Sequence, residues 1–98
     1  MEVIFLQNAR TDVRKAFDWY ESQAEGLGTR FIKEIIEFSK KITRNIVEYK
    51  FYMQDVQYIQ LKVFPFSIFF TKETPDKIFV IAVLHNRQDI VSILTQRK

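Results

Sequence analysis

Apolar positions change period three times along this chain. From Glu2 to Gln7 they alternate on two faces, Val3 and Phe5 on one, Ile4 and Leu6 on the other, which predicts a short strand in the interior of a sheet. Spacings of three and four then take over. Val13, Ala16, Phe17, Tyr20 and Ala24 form one stripe of a helix running from an Asn8 N-cap to about Glu25. Gly26-Leu27-Gly28 breaks the stripe, and Gly26 suits a left-handed position at a helix end. Thr29 caps a second predicted helix to about Asn45, with a stripe of Phe31, Ile35, Phe38 and Ile42 widened by Ile32, Ile36 and Ile46. So short a connection predicts an antiparallel helical hairpin, whose joint apolar face must cover a sheet.

Residues 46–56 show no clean period and read as a loop with some extended structure; Tyr49, Phe51 and Tyr52 there could pack onto the domain or stack on bases. Period two returns near Gln57. Ile59, Leu61 and Val63 face one way and Tyr58, Gln60 and Lys62 the other, which sets Lys62 on the sheet face away from the hairpin. After Pro65, Phe66, Ile68 and Phe70 continue one face, and Thr74-Pro75-Asp76-Lys77 supplies a turn. Residues 78–84 are all apolar, the mark of a strand covered on both faces, and the run stops at His85-Asn86-Arg87. Asp89 caps a short helix carrying Ile90, Val91, Ile93 and Leu94. The expected fold class is α+β: an N-terminal strand, an antiparallel helical hairpin packed on an antiparallel sheet of about four strands, and a short C-terminal helix. Residues 1–98 are read as a single domain.

Composition narrows the chemistry. Ten Phe, four Tyr and one Trp give a small chain its core, while two Gly and two Pro leave no linker. The absence of Cys excludes disulfides and thiolate zinc sites, and one His cannot form a cluster, so neither a metal nor a cofactor is expected. The net charge of +3 permits an anionic partner without demanding one. Lys40, Lys41 and Arg44 suit the end of a helix. Lys62, His85, Arg87, Arg97 and Lys98 have no such role, and form either a phosphate-binding surface or an ordinary solvated face. His85-Asn86-Arg87 is likewise either a site at a strand end or a strand surfacing into water. Trp19 lies off the centre of its stripe, to pack at the edge or to meet a partner. Neither a secretory segment nor an apolar run of about eighteen residues is present, so a soluble cytoplasmic protein is expected.

Several local motifs occur in a definite order. Ala16 and Trp19-Tyr20-Glu21 precede Gly26-Leu27-Gly28, Phe31 and Glu34-Ile35. Lys62-Val63-Phe64-Pro65-Phe66-Ser67-Ile68-Phe69-Phe70 comes later, then Val80-Ile81-Ala82-Val83-Leu84-His85-Asn86-Arg87. From about residue 3 to residue 90 this resembles the RelE/ParE toxin superfamily of bacterial plasmid stabilisation proteins. Its members show a Phe-Pro-(Phe/Tyr)-x-Ile-x-Tyr strand and a last strand ending in a His-x-Arg-Arg-like motif. The resemblance implies the growth-inhibiting toxin of a type II toxin–antitoxin system, masked by a small antitoxin whose C-terminal segment wraps it.

Two activities accompany this fold. RelE-like members cut messenger RNA in the ribosomal A site with basic residues on the open sheet face and near the C-terminus; ParE-like members poison DNA gyrase. Carried over by position, the resemblance makes Lys62, His85 and Arg87 the candidate catalytic residues. Lys62 and Arg87 would hold phosphate, and His85 would act as acid or base, since imidazole ordinarily titrates near neutrality. Gln57 and Gln88 stand where many relatives carry Arg, which tilts the reading toward a ParE-like gyrase inhibitor. The rivals are a ribosome-dependent endoribonuclease and a non-toxic member that binds its antitoxin alone. The expected partners are the antitoxin and either gyrase or the ribosome with its mRNA. Partly apolar surfaces also predict self-association.

Overall fold

The computed structural model describes residues 1–44 and 46–97, with Val47 in its backbone alone. Asn45, the expected end of the second helix, and Lys98 of the basic set lie outside the described residues. The order is β1 (Glu2–Phe5), α1 (Gln7–Gln23), α2 (Leu27–Arg44), a 3-10 turn (Ile46–Glu48), β2 (Phe51–Met53), β3 (Val56–Gln60), β4 (Phe66–Thr74), β5 (Lys77–His85) and α3 (Ile90–Arg97). The α+β class is as expected, with two corrections to the sheet. It has five strands in the order β1-β5-β4-β3-β2, and it is mixed, because β1 pairs in parallel with β5 while the other neighbours are antiparallel. The hairpin excursion between β1 and the later strands makes parallel pairing available, where a tight turn would force an antiparallel one.

β1 is an edge strand and not an interior one. Its apolar residues on both faces report that both sides of the sheet are covered. The hairpin covers one face over a core that includes Phe31, Ile35, Phe38, Ile42, Phe66, Ile68, Phe70, Ile78 and Val80. On the other side Leu94 of α3 packs with Val56, Phe69, Ile81, Ala82 and Leu84. The unbroken apolar run 78–84 thus does feed two cores. Its alternation slips once: Phe69 sits opposite Ala82 and Phe70 opposite Val80, so Ile81 is an extra residue and joins Ala82 on the α3 side.

The hairpin turn is held by a carboxylate. The Gly26 and Gly28 N–H groups each donate to Glu21 at 2.9 Å, on its two oxygens. This replaces the predicted Thr29 cap, because α2 already begins at Leu27. Gly26 is left-handed as expected, with φ +86°. Gly28 answers a different need: a Cβ there would lie 2.8 Å from both Cδ1 and the carbonyl oxygen of Phe17, so the helices cross too closely for a side chain. Asn8 is likewise inside α1, and Leu6 occupies the N-cap without a side-chain bond.

Candidate functional site

The end of the sheet where β3 and β5 stop and β4 begins carries the motifs singled out in the sequence. Leu61 donates its N–H to the Phe66 carbonyl at 2.8 Å, and Phe66 sits opposite His85, so these three residues form a row across the sheet end. β3 ends at Gln60, and this corrects the expected position of Lys62. Lys62 is in the β3–β4 loop, which folds toward α2. There the carboxylate of Glu34 accepts from three consecutive N–H groups, Lys62 at 3.0 Å, Val63 at 2.9 Å and Phe64 at 3.2 Å. The Lys62 side chain lies with Arg30, Lys33 and Glu37 around a shallow depression of about 310 Å³ on the α2 flank. Val63, expected beside Ile59 and Leu61, is instead 66% exposed. Period two stopped with the strand, and the carboxylate took over the backbone.

His85 ends β5 on the hairpin side of the sheet, its ring edge-on to Phe66 with centroids 5.2 Å apart. Its Nδ1 accepts the Arg87 N–H at 3.0 Å, and its own N–H donates to the Gln88 side chain at 2.7 Å. The imidazole is therefore built into the turn, with Nε2 left for other work. Arg87 is exposed, and among the described residues its guanidinium makes no ion pair or hydrogen bond. On the opposite face of the sheet end, Gln60 and Ser67 lie across from one another, and the Ser67 hydroxyl donates to Asn86 Oδ1 at 2.8 Å. That face offers neutral polar groups there. The three candidates share one end of the molecule, with Lys62 on the α2 flank, His85 on the hairpin side of β5 and Arg87 in the turn that follows.

The two glutamines that depart from the superfamily pattern are structural. Gln57 is 4% exposed, and its side-chain amide donates to the carbonyls of Ile46 at 2.7 Å and Tyr49 at 3.0 Å, tying the 3-10 turn to β3. An Arg at that position would have to take the same buried place. Arg97 leaves the expected basic set for a similar reason. Its guanidinium meets Asp12 of α1 with two contacts, 2.5 Å and 2.9 Å, and donates to the Ile81 carbonyl at 3.1 Å. Asp12 in turn accepts the Val83 N–H at 3.0 Å. The pair serves the irregular stretch of β5 beyond the end of β1 and anchors α3. Asp12 gave no signal in the sequence, and Glu34 appeared there as part of a motif without a role.

A second surface is apolar. Phe5, Val13, Phe17, Ile32, Ile35 and Ile36 line a groove of about 470 Å³ along the outer flank of the hairpin, with Arg10 and Arg14 at its rim. Among the described residues no group of three or more His, Cys, Asp or Glu could hold a metal ion, and no helix is long and apolar enough to cross a membrane.

A strand, a close-crossing helical hairpin, an antiparallel meander with a pinned Phe-Pro loop and a His-ended last strand define a toxin-type domain of the RelE/ParE architecture. Residues 3–90 match the family described as the ParE toxin of type II toxin–antitoxin system, parDE, and the chain belongs to that family. It is a ParE-like type II toxin, which implies a cognate antitoxin partner. A solved structure described as the chromosomal ParDE TA system from P. aeruginosa has the same fold. The match has a TM-score of 0.74 at 18% identity, over 87% of this chain and 95% of that one. No curated protein matches.

Proposed function

We propose that this toxin acts on DNA gyrase, in the bacterial cytoplasm, as a single domain spanning residues 1–98. The observation that carries this reading is that Gln57 and Gln88, which stand where many relatives carry Arg, are both spent on backbone groups of the fold and offer no cation to a phosphate. Messenger RNA cleavage needs a base, an acid and a phosphate-binding cation around one phosphodiester. Here Lys62 lies with α2, the Nδ1 of His85 holds the backbone of Arg87, and the opposite sheet face bears Gln60, Ser67 and Asn86. A non-hydrolytic grip on a protein target asks for no such convergence. The antitoxin fits the apolar groove of the hairpin flank, whose cationic rim of Arg10 and Arg14 favours an acidic amphipathic segment.

The test is supercoiling of relaxed plasmid by purified gyrase with ATP and purified toxin. The expected result is inhibition without ribosomes, together with no new mRNA 5′ ends inside translated codons when the toxin is induced in cells. Fresh codon-centred 5′ ends with unimpaired supercoiling would overturn the reading and return Lys62, His85 and Arg87 to a catalytic role.

A further inference from the structure

The β3–β4 loop combines two properties that seldom coexist. It exposes an aliphatic side chain, and it is held stiff. Val63 is 66% exposed at the loop, and no internal packing requires an apolar residue there. Yet the N–H groups of residues 62–64 all end on Glu34, and the Phe66 N–H closes the turn on the Phe64 carbonyl at 2.8 Å. Phe64 itself is buried against the rings of Tyr20 and Phe31, with centroids 4.8 Å and 5.3 Å away. The cost of ordering this loop is therefore already met in the free protein, which favours binding through it.

A second exposed apolar group flanks the same aromatic cluster from α1. Trp19 is 61% exposed and borders a shallow depression with Phe66, Val83 and Gln88. Tyr20, in ring contact with both Phe64 and Phe66, forms the wall between the two places. Cations surround them: Lys15 beside Trp19, Arg30, Lys33 and Lys62 beside Val63, and Arg87 on the turn after His85. Two ion pairs occur among the described residues, Lys41–Glu37 and Arg97–Asp12, and neither uses any of these five. A single exposed apolar residue means little. Two of them on rigid supports, ringed by unpaired cations, describe an interface with anchors in place and a field to steer an acidic partner.

We infer that the pinned Val63 loop and Trp19 form the surface by which this toxin grips its target, and that the partner is an acidic protein surface with an apolar recess. This rests on the gyrase-directed reading, so the partner surface is one on gyrase. Val63 and Trp19 fill the recess, while Lys62, Arg87 and Lys33 pair with carboxylates at its rim.

The test compares the toxin concentration for half-inhibition of supercoiling among wild type, Val63→Asp, Trp19→Ala and Val91→Asp. Val91 is the control, since it is an exposed aliphatic residue of α3 that belongs neither to the pinned loop nor to the apolar groove. Circular dichroism and thermal melting establish that each variant folds. Val63→Asp and Trp19→Ala are expected to raise the half-inhibitory concentration about 30-fold, the scale of an interface anchor, with Val91→Asp unchanged. A Lys62→Ala, Arg87→Ala double variant is expected to lose a few-fold, more at low salt than at high. Wild-type inhibition that survives Val63→Asp and Trp19→Ala overturns this surface and leaves the gyrase reading standing. Loss with Val91→Asp alone moves the grip to α3. Tight binding of a labelled duplex by toxin alone, lost with the cations and kept by Val63→Asp, would make the partner DNA phosphate. Wild-type toxin without effect on supercoiling overturns both readings.

Discussion

Two carboxylates on the hairpin fasten two outlying pieces of chain, and they do it differently. Asp12 of α1 holds α3 through a bidentate pair with Arg97 and also caps the Val83 N–H. Glu34 of α2 holds the β3–β4 loop through three backbone N–H groups and no cation. The Asp12–Arg97 pair is mostly buried, at 13% and 18% exposure, so each charge depends on the other for compensation. Glu34 works near the surface, where water can replace either party. The comparison teaches that the same residue class serves two ends: a charge pair that secures a core-facing helix, and an anion that shapes an exposed loop while leaving the adjacent cations free.

The comparison breaks most severely at Asp12. Asp12→Ala leaves the Arg97 guanidinium mostly buried beside an unmet Val83 N–H, and should cost about 3 kcal/mol in urea unfolding. Removing Arg97 as well should recover about 1 kcal/mol or more of that, which a double-mutant cycle reads directly. Gly28→Ala strikes the hairpin on which both acids stand. Its Cβ meets Phe17 backbone at 2.8 Å, and it should cost about 1–3 kcal/mol. Glu34→Ala frees N–H groups that water can reach, so about 1–2 kcal/mol is expected. Its sharper signature is hydrogen exchange: amides of Lys62, Val63 and Phe64 should lose protection while those of β5 keep theirs. The same variant should weaken gyrase inhibition although Val63 and Trp19 are intact.

The smallest effect is alkaline. Burial raises the Tyr20 phenol above its ordinary 10.0, and burial together with the charge of Glu48 raises Tyr49. Both phenols stay protonated in the fold after they would ionise in the unfolded chain. Their stabilisation is complete below pH about 10 and is lost as pH rises through the folded values. Melting temperature should decline above that pH, and Tyr20→Phe, at the wall of the pinned loop, should flatten the decline.

Much of the fold could be read from the pattern. The stripe Phe31, Ile35, Phe38 and Ile42 is buried as its spacing requires, and residues 78–84 are covered on both faces. Asp89 does cap α3 through the Ser92 N–H at 3.4 Å. Where the structure departs from the pattern, a group on another element is usually the reason. Period two carries Lys62 and Val63 past the strand end, but Glu34 of α2 takes their backbone N–H groups. Side-chain type makes Thr29 a cap, but Glu21 of α1 holds the turn, and Asn8 lies inside α1, past the Leu6 N-cap. Two apolar faces suit an interior strand, but β1 is the edge strand of a sheet that the hairpin and α3 cover on both sides.

Local periodicity and composition, by themselves, determined the elements, their apolar faces and the superfamily resemblance, because burying a stripe or a face is a repeated, short-range constraint. Those motifs are largely the ones that build the hairpin turn and the Phe-Pro loop, so they identify the fold better than the target. Tertiary structure alone decided which polar residues are spent on the fold and which stay available. A carboxylate or amide is committed by whatever backbone group lies within hydrogen-bond reach, and for Glu34, Asp12, Gln57 and Arg97 that group belongs to another element of the fold.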